Sequence, residues 1–342
     1  SPYPVLESGY WVSVPPMGFH RLNWLDNDRV LFVGGSLKTW SRDKPNTPAL
    51  FLWDTRTNTV TKLSDTGGYC FKPDEIRFAV KQTTDAIVSR IIKRGKEIQG
   101  TEVTRSLAEI EAESVKYRDQ GFENHPLCCG GYSPRILAGE NWNKYQLRQI
   151  FPLLDGHGYL DLFGWQSWEK KIPVDTDPAR WFPPNGDEPI KLPMPKRAID
   201  RHRINYSEWN SSYLLYGDQA PPGYNNVTGV WPIGVSQSIW LLHAPDGKVE
   251  RQELPYAKWS RGLGHVLSTR AGFVVTRNDG TPDQGLYLVE GMEYVRVIGE
   301  GGEVGIEGIA PNGCKVAAAI TSTRNEKERG LKMVNVCEKG GK

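Results

Sequence analysis

A chain of 342 residues with 36 glycines and 24 prolines accommodates two average domains or one large all-β domain, and its lack of alanine-rich helical stretches favours short strands joined by turns. Its 42 basic and 40 acidic side chains nearly cancel, which argues against a field that would recruit nucleic acid or an anionic membrane surface. No apolar run approaches the roughly 18 residues of a membrane-spanning helix, so no transmembrane segment is expected.

The chain opens SPYPVLESGYW, without an initiator Met or a basic-then-apolar leader. That is the pattern of a mature chain whose signal peptide has been removed, or of a trimmed one. A turn at 26–28 then precedes the apolar run 30–33, and a second run, 50–53, turns at 55–58 into 60–63. The same order recurs in EIRFAVKQTTDAIVSRIIKRGKEI (75–98) and YLDLFGWQSWEKKIPV (159–174). It appears again at 211–255 with a hairpin turn at 244–247, in AGFVVTRNDGTPDQGLYLVEGMEYVRVI (271–298), and most clearly in APNGCKVAAAITSTRNEKERGLKMVNV (310–336). Each copy reads as short strands bounded by Gly, Asn, Asp and Pro turns. One such sheet cannot bury both faces alone, whereas sheets packed radially around an axis can. Six copies therefore predict an all-β, six-bladed β-propeller of four-stranded antiparallel blades, forming one domain over 1–342. SLAEIEAESVKYRD (106–119) is rich in helix formers and is expected to make a short inserted helix. WFPPNGDEPIKLPMP (181–195) reads as an extended loop between the third and fourth blades. YPVLESGYWVSVP (3–15) is expected beside the last blade as its outer strand, which would close the ring and remove an exposed edge.

The order of the last copy, an APNG turn, an apolar strand, a polar stretch with TSTRN, then GLKMVNV and a closing KGG, resembles the repeat of TolB-type propellers. Asn312 stands where that repeat usually has Asp, and the other copies lack the proline. The resemblance implies the fold and a periplasmic or secreted location.

Five cysteines give an odd count without metal-type spacing. They read as buried or free thiols, except that Cys314 and Cys337 flank the last copy and would approach each other if its strands pair antiparallel. A disulfide there would indicate an oxidising compartment.

FHRLNW (19–24) and RHRINY (201–206) share His-Arg-apolar-Asn-aromatic ahead of a long apolar strand, and LGHVLS (263–268) sits similarly. These segments are expected to be inner strands, which would place His20, His202 and His265 on the channel wall. Converging imidazoles would hold a divalent transition metal; alternatively each hydrogen-bonds neighbouring backbone and fixes its strand. Arg21 and Arg203 share a repeat position and would attract a carboxylate or phosphate. Lys196 and Arg197 read as a solvated basic loop. The long connections 36–48 and 217–232 would bring Trp40, Arg42, Tyr224 and Trp231 to a rim suited to sugar or protein contact. Sequons at Asn205, Asn210 and Asn226 read as chance, with Asn205 expected on an inaccessible inner strand. The sequence has no G-x-S-x-G, H-E-x-x-H, phosphate loop or dinucleotide fingerprint. Two functions follow as expectations. One is a secreted or periplasmic module that binds a protein, glycan or small anionic ligand at the channel face. The other is a metal-assisted hydrolase or lyase with a histidine-lined centre.

Overall fold

The computed structural model describes residues 2–13, 22–41, 46–65, 69–72, 74–112, 150–153, 157–161, 178–183, 188–195, 204–215, 237–244, 246–257, 259, 264–299, 301–323 and 328–340. The chain begins with β1 (Val5–Glu7), which belongs to the last blade. The first blade follows with β2 (Tyr10–Val12) and β3 (Asn23–Trp24), then β4 (Arg29–Ser36), β5 (Ala49–Asp54) and β6 (Thr59–Ser64). Both β2 and β3 pair with β4, so together they form one interrupted inner strand. The second blade is β7 (Tyr69–Lys72), β8 (Glu75–Gln82), β9 (Ala86–Lys93) and β10 (Thr101–Ser106). The third is β11 (Ile150–Pro152), β12 (Tyr159–Asp161), β13 (Pro178–Phe182) and β14 (Ile190–Pro195). The fourth is β15 (Ile204–Ser207), β16 (Ser212–Leu215), β17 (Gln237–His243) and β18 (Lys248–Leu254). The fifth is β19 (Val266–Thr269), β20 (Gly272–Arg277), β21 (Gly285–Glu290) and β22 (Glu293–Ile298). The sixth is β23 (Gly302–Ile309), β24 (Lys315–Thr323), β25 (Gly330–Asn335) and β1. The protein is a six-bladed β-propeller.

The middle strands are apolar at successive positions because each of their faces meets a different blade. In β24, Val316, Ala318 and Ile320 pack with the fifth blade, while Ala317 and Ala319 pack with the first. In β5, Leu50 and Leu52 face the second blade, while Phe51 and Trp53 face the sixth. Further clusters fill the junctions between blades three and four and between four and five.

Closure of the ring follows the sequence expectation over 5–7, whereas 10–12, also expected beside the last blade, pairs with β4 as β2 of the first. β1 pairs with β25 through Val5–Val334, Leu6–Met333 and Glu7–Lys332, so the N-terminal strand completes the last blade from outside. The buried Lys332 ammonium reinforces it by donating to Glu7 and Glu328 at 2.9 Å each. Cys314 and Cys337 form a disulfide beside the β24–β25 ladder. The helix expected at 106–119 is present over 107–112, where the description of that segment ends. Ser106 and Glu109 cap it reciprocally, each side chain accepting the other's backbone N–H.

The third blade departs from the expected boundaries. Residues 181–195 are not an extended loop: they hold the last two residues of β13 and all of β14, and Trp181 is buried in the core between blades three and four. Prolines are tolerated because β14 is the outer edge strand, and Pro193 falls where its pairing with β13 is irregular. Of the copy at 159–174, β12 covers 159–161 and 162–177 lies outside the described residues.

Antiparallel order sorts the connections onto two faces. First-to-second and third-to-fourth strand connections, such as 25–28, 208–211, 270–271 and 310–314, share one face, here the turn face. The connections 37–48, 107–149, 162–177, 196–203, 216–236 and 255–265 all join strand ends on the other, the loop face.

Candidate functional site

The inner strands are tied across blade boundaries by side chains. The Asn shared by the two His-Arg-apolar-Asn-aromatic segments performs one task in both places. Asn23 donates to the Tyr69 hydroxyl of the next blade at 2.9 Å, and Asn205 donates to the Val266 carbonyl of the next blade at 2.8 Å. Asn205 is 2% exposed, so its sequon is inaccessible in the folded chain, as expected. Ser207 adds a bond to the Ser268 carbonyl at 2.9 Å.

His265, just before β19, is the histidine of the expected trio that the structure describes. It lies one short strand from the turn face, a depth of roughly 13 Å at the usual rise per residue. Its Nδ1 lies 2.7 Å from Oε1 of Glu307, on the inner strand of the sixth blade. The Glu307 side chain is 3% exposed and that of His265 is 35% exposed. The His265 N–H donates to Oγ1 of the buried Thr276 at 2.7 Å, and its carbonyl accepts the Thr276 N–H at 2.9 Å. The ring is thus fixed through both backbone and side chain. An imidazole held at Nδ1 by a carboxylate is oriented to meet a ligand or proton through Nε2. The observed partner is a carboxylate rather than the backbone group weighed from sequence.

At the turn face the channel is spanned. Arg94, in the last turn of the second blade, donates to the Leu25 carbonyl of the first blade at 2.9 Å. It also holds Glu208 of the fourth blade through two bonds of 2.5 and 3.0 Å. Trp209 donates to the Ser268 carbonyl of the fifth blade at 3.0 Å and lies against Gly313 of the sixth. Blades two and four, and four and six, are not neighbours in the ring, so these contacts cross its end.

Trp40 lies at the loop face, with the Arg329 guanidinium 4.4 Å from its ring centroid, so it joins the first and sixth blades there. His20, Arg21, Arg42, His202, Arg203, Tyr224 and Trp231 lie outside the described residues, as do Lys196 and Arg197. Among the described residues no group of three or more His, Cys, Asp or Glu is placed to hold a metal ion. Sequence reasoning missed Glu307, Arg94, Glu208 and Trp209. The one available signal was Glu307 itself, a single acid in an apolar strand, IEGIA.

The sequence matches no family model. No curated protein matches it either. Among solved structures the chain is similar to an oligogalacturonate lyase in complex with manganese, with a TM-score of 0.44 and 10% identity, covering 98% of this chain and 95% of that one. It is also similar to the β-propeller domain of the Trilobed protease from Pyrococcus furiosus, with a TM-score of 0.36 and 10% identity over 92% of this chain and 82% of that one. Against the acylaminoacyl peptidase of Pyrococcus horikoshii the TM-score is 0.36 and the identity 11%, over 92% of this chain but 44% of the peptidase. The propeller assignment rests on this chain's own strand pairing.

Proposed function

We propose that this chain is a secreted or periplasmic propeller that binds a glycan, a protein segment or a small anionic ligand at the loop-face end of its channel. The supporting observation is the asymmetry of the two ends. Side chains from non-neighbouring blades cross the turn face, whereas the long connections join strand ends on the loop face. Arg21 and Arg203 would supply charge for an anion, while Trp40, Arg42, Tyr224 and Trp231 would supply planar contact surface. His265 would donate or accept through Nε2. The Cys314–Cys337 disulfide and the TolB-type pattern of the last blade support the oxidising location. No helix among the described residues is long and apolar enough to cross a membrane.

A thermal-shift screen with acidic and neutral oligosaccharides and with small di- and tricarboxylates tests this reading. We expect at least one stabilising compound whose effect is lost in H265A and in the R21A/R203A double variant. A shift that survives both variants, or no shift from any compound together with measured turnover, would reject it.

One observation favours the second reading, a metal-assisted hydrolase or lyase: a buried carboxylate behind an imidazole also orients a metal-ligating histidine. Such a centre would need His20 and His202 beside His265. A bound divalent ion would polarise a carbonyl or acidify a water. Elemental analysis of purified protein decides it, since this reading requires a stoichiometric metal that is lost in H202A.

A further inference from the structure

Among the described residues, the contacts at the turn face form a closed circuit through the first, second, fourth, fifth and sixth blades. Arg94 joins the second blade to the first at Leu25 and to the fourth at Glu208. Trp209, next to Glu208, joins the fourth to the fifth at the Ser268 carbonyl. The Arg270 N–H of the fifth donates to the Gly313 carbonyl of the sixth at 2.8 Å. The Asn312 N–H of the sixth returns to Oδ1 of Asn27 in the first at 2.9 Å. Lys315 and Asp28 support that last step with an ion pair of 2.5 Å.

The links differ in kind. Trp209 is half-buried against the fifth and sixth blades, and the Arg270 and Asn312 links use turn backbone amides, the Asn312 one exposed. The Arg94–Glu208 link joins two charged side chains that are 30% and 35% exposed, so water and salt reach it, and it rests on the ion pair alone, whereas Lys315–Asp28 stands beside a backbone-donated bond. It is also, with Trp209 against Gly313, one of two places among the described residues where the turn face is crossed between non-neighbouring blades. Asp26 and Asp74 add negative charge around the guanidinium, so Arg94 has other acids nearby when Glu208 releases it.

We propose that the Arg94–Glu208 pair is a latch that holds the turn-face end of the channel closed, and that releasing it loosens the whole axial circuit. The latch is independent of what the channel binds. While it is closed, a ligand enters and leaves through the loop face alone. When it opens, the channel meets solvent at both ends.

Hydrogen exchange read by mass spectrometry on the full chain tests the latch, using wild type, R94M, E208Q and the double variant. Both single variants should exchange about tenfold faster in peptides spanning 268–271 and 310–313, which belong to other blades, and the double variant should add nothing further. Raising sodium chloride from 50 mM to 1 M should reproduce the effect in wild type and leave E208Q unchanged. Faster exchange confined to 93–96 and 207–211, or equal salt sensitivity in wild type and E208Q, would overturn the proposal. E208Q keeps the size of the side chain but removes its charge and one of the two acceptor oxygens that hold Arg94, so it carries the test should R94M fail to fold.

Discussion

At Gly313 the backbone takes φ +75°, and a Cβ built there would stand 2.5 Å from Cγ of Trp209. A side chain would thus meet both a strained left-handed conformation and the indole that crosses the turn face. G313A should cost more than the roughly 1 kcal/mol expected of the conformation alone. Thermal melts of G313A, W209A and the double variant would show it as coupling, because removing the indole relieves the clash; strictly additive melts would contradict it. Asp26, one turn away, gives a pH prediction. Burial alone would raise its carboxyl, but the Arg29 side chain and the Asp28 amide hydrogen-bond it and hold it below the ordinary carboxylate range. A carboxyl lowered in the folded state contributes stability that is complete above its unfolded pKa and is lost as pH falls through the folded one. Wild type should therefore lose stability below about pH 4, and D26N should show a shallower acid limb in melts between pH 3 and 7. At this scale the sequence is partly legible. A motif written twice, at Asn23 and Asn205, exposes a residue with one repeated task. Glu307, Arg94 and Glu208 act on residues 42, 69 and 114 positions away, and no local pattern encodes those pairings.

Among the elements, the last blade is the easiest to read and the third the hardest, for the same physical reason. Its β24 and β25 are long and buried on both faces, so their apolar runs are continuous and their turns stand out. In the third blade β11 and β12 have three residues each, and β14 carries prolines that only an edge strand admits. The buried Trp181 there sits in a segment whose composition signals a loop. The inner strand of the first blade is hidden differently, because residues between β2 and β3 interrupt its pattern. The pairing of Cys314 with Cys337 follows from the hairpin, since Lys315 and Asn335 are ladder partners. The bridge closes a loop with a sequence separation of 23, for which chain entropy predicts about 3 kcal/mol. Reduction with dithiothreitol should lower the Tm of wild type and leave a C314S/C337S variant unmoved. Equal response of the two would assign the effect to other cysteines.

For the whole molecule, a ring opens where its weakest junction parts, and the sixth-to-first junction is the one that chain connectivity must close. Two clasps hold it at different radii. At the rim, β1 pairs with β25 and Ser8 donates to the Leu331 carbonyl at 3.0 Å. Near the axis, Leu22 donates to the Glu307 carbonyl at 3.2 Å and Asn27 accepts from Asn312. The inner approach is close: a Cβ at Gly308 would lie 2.0 Å from the Leu22 carbonyl oxygen, so the two inner strands touch through backbone. Since both clasps oppose one opening motion, losing the first makes the second carry more of the load. Deleting residues 2–8 should lower Tm sharply, because it strips β25 of its outer partner β1 and exposes an edge. N27A alone should cost about 1 kcal/mol, the net value of an ordinary hydrogen bond. In the 2–8 deletion background N27A should cost clearly more, beyond the 0.3–0.5 kcal/mol within which distant sites add. Urea unfolding of the four proteins gives the comparison. Additive costs would mean that the ring opens at another junction, and the second-to-third junction, with its long 107–149 connection, is then the one to probe next.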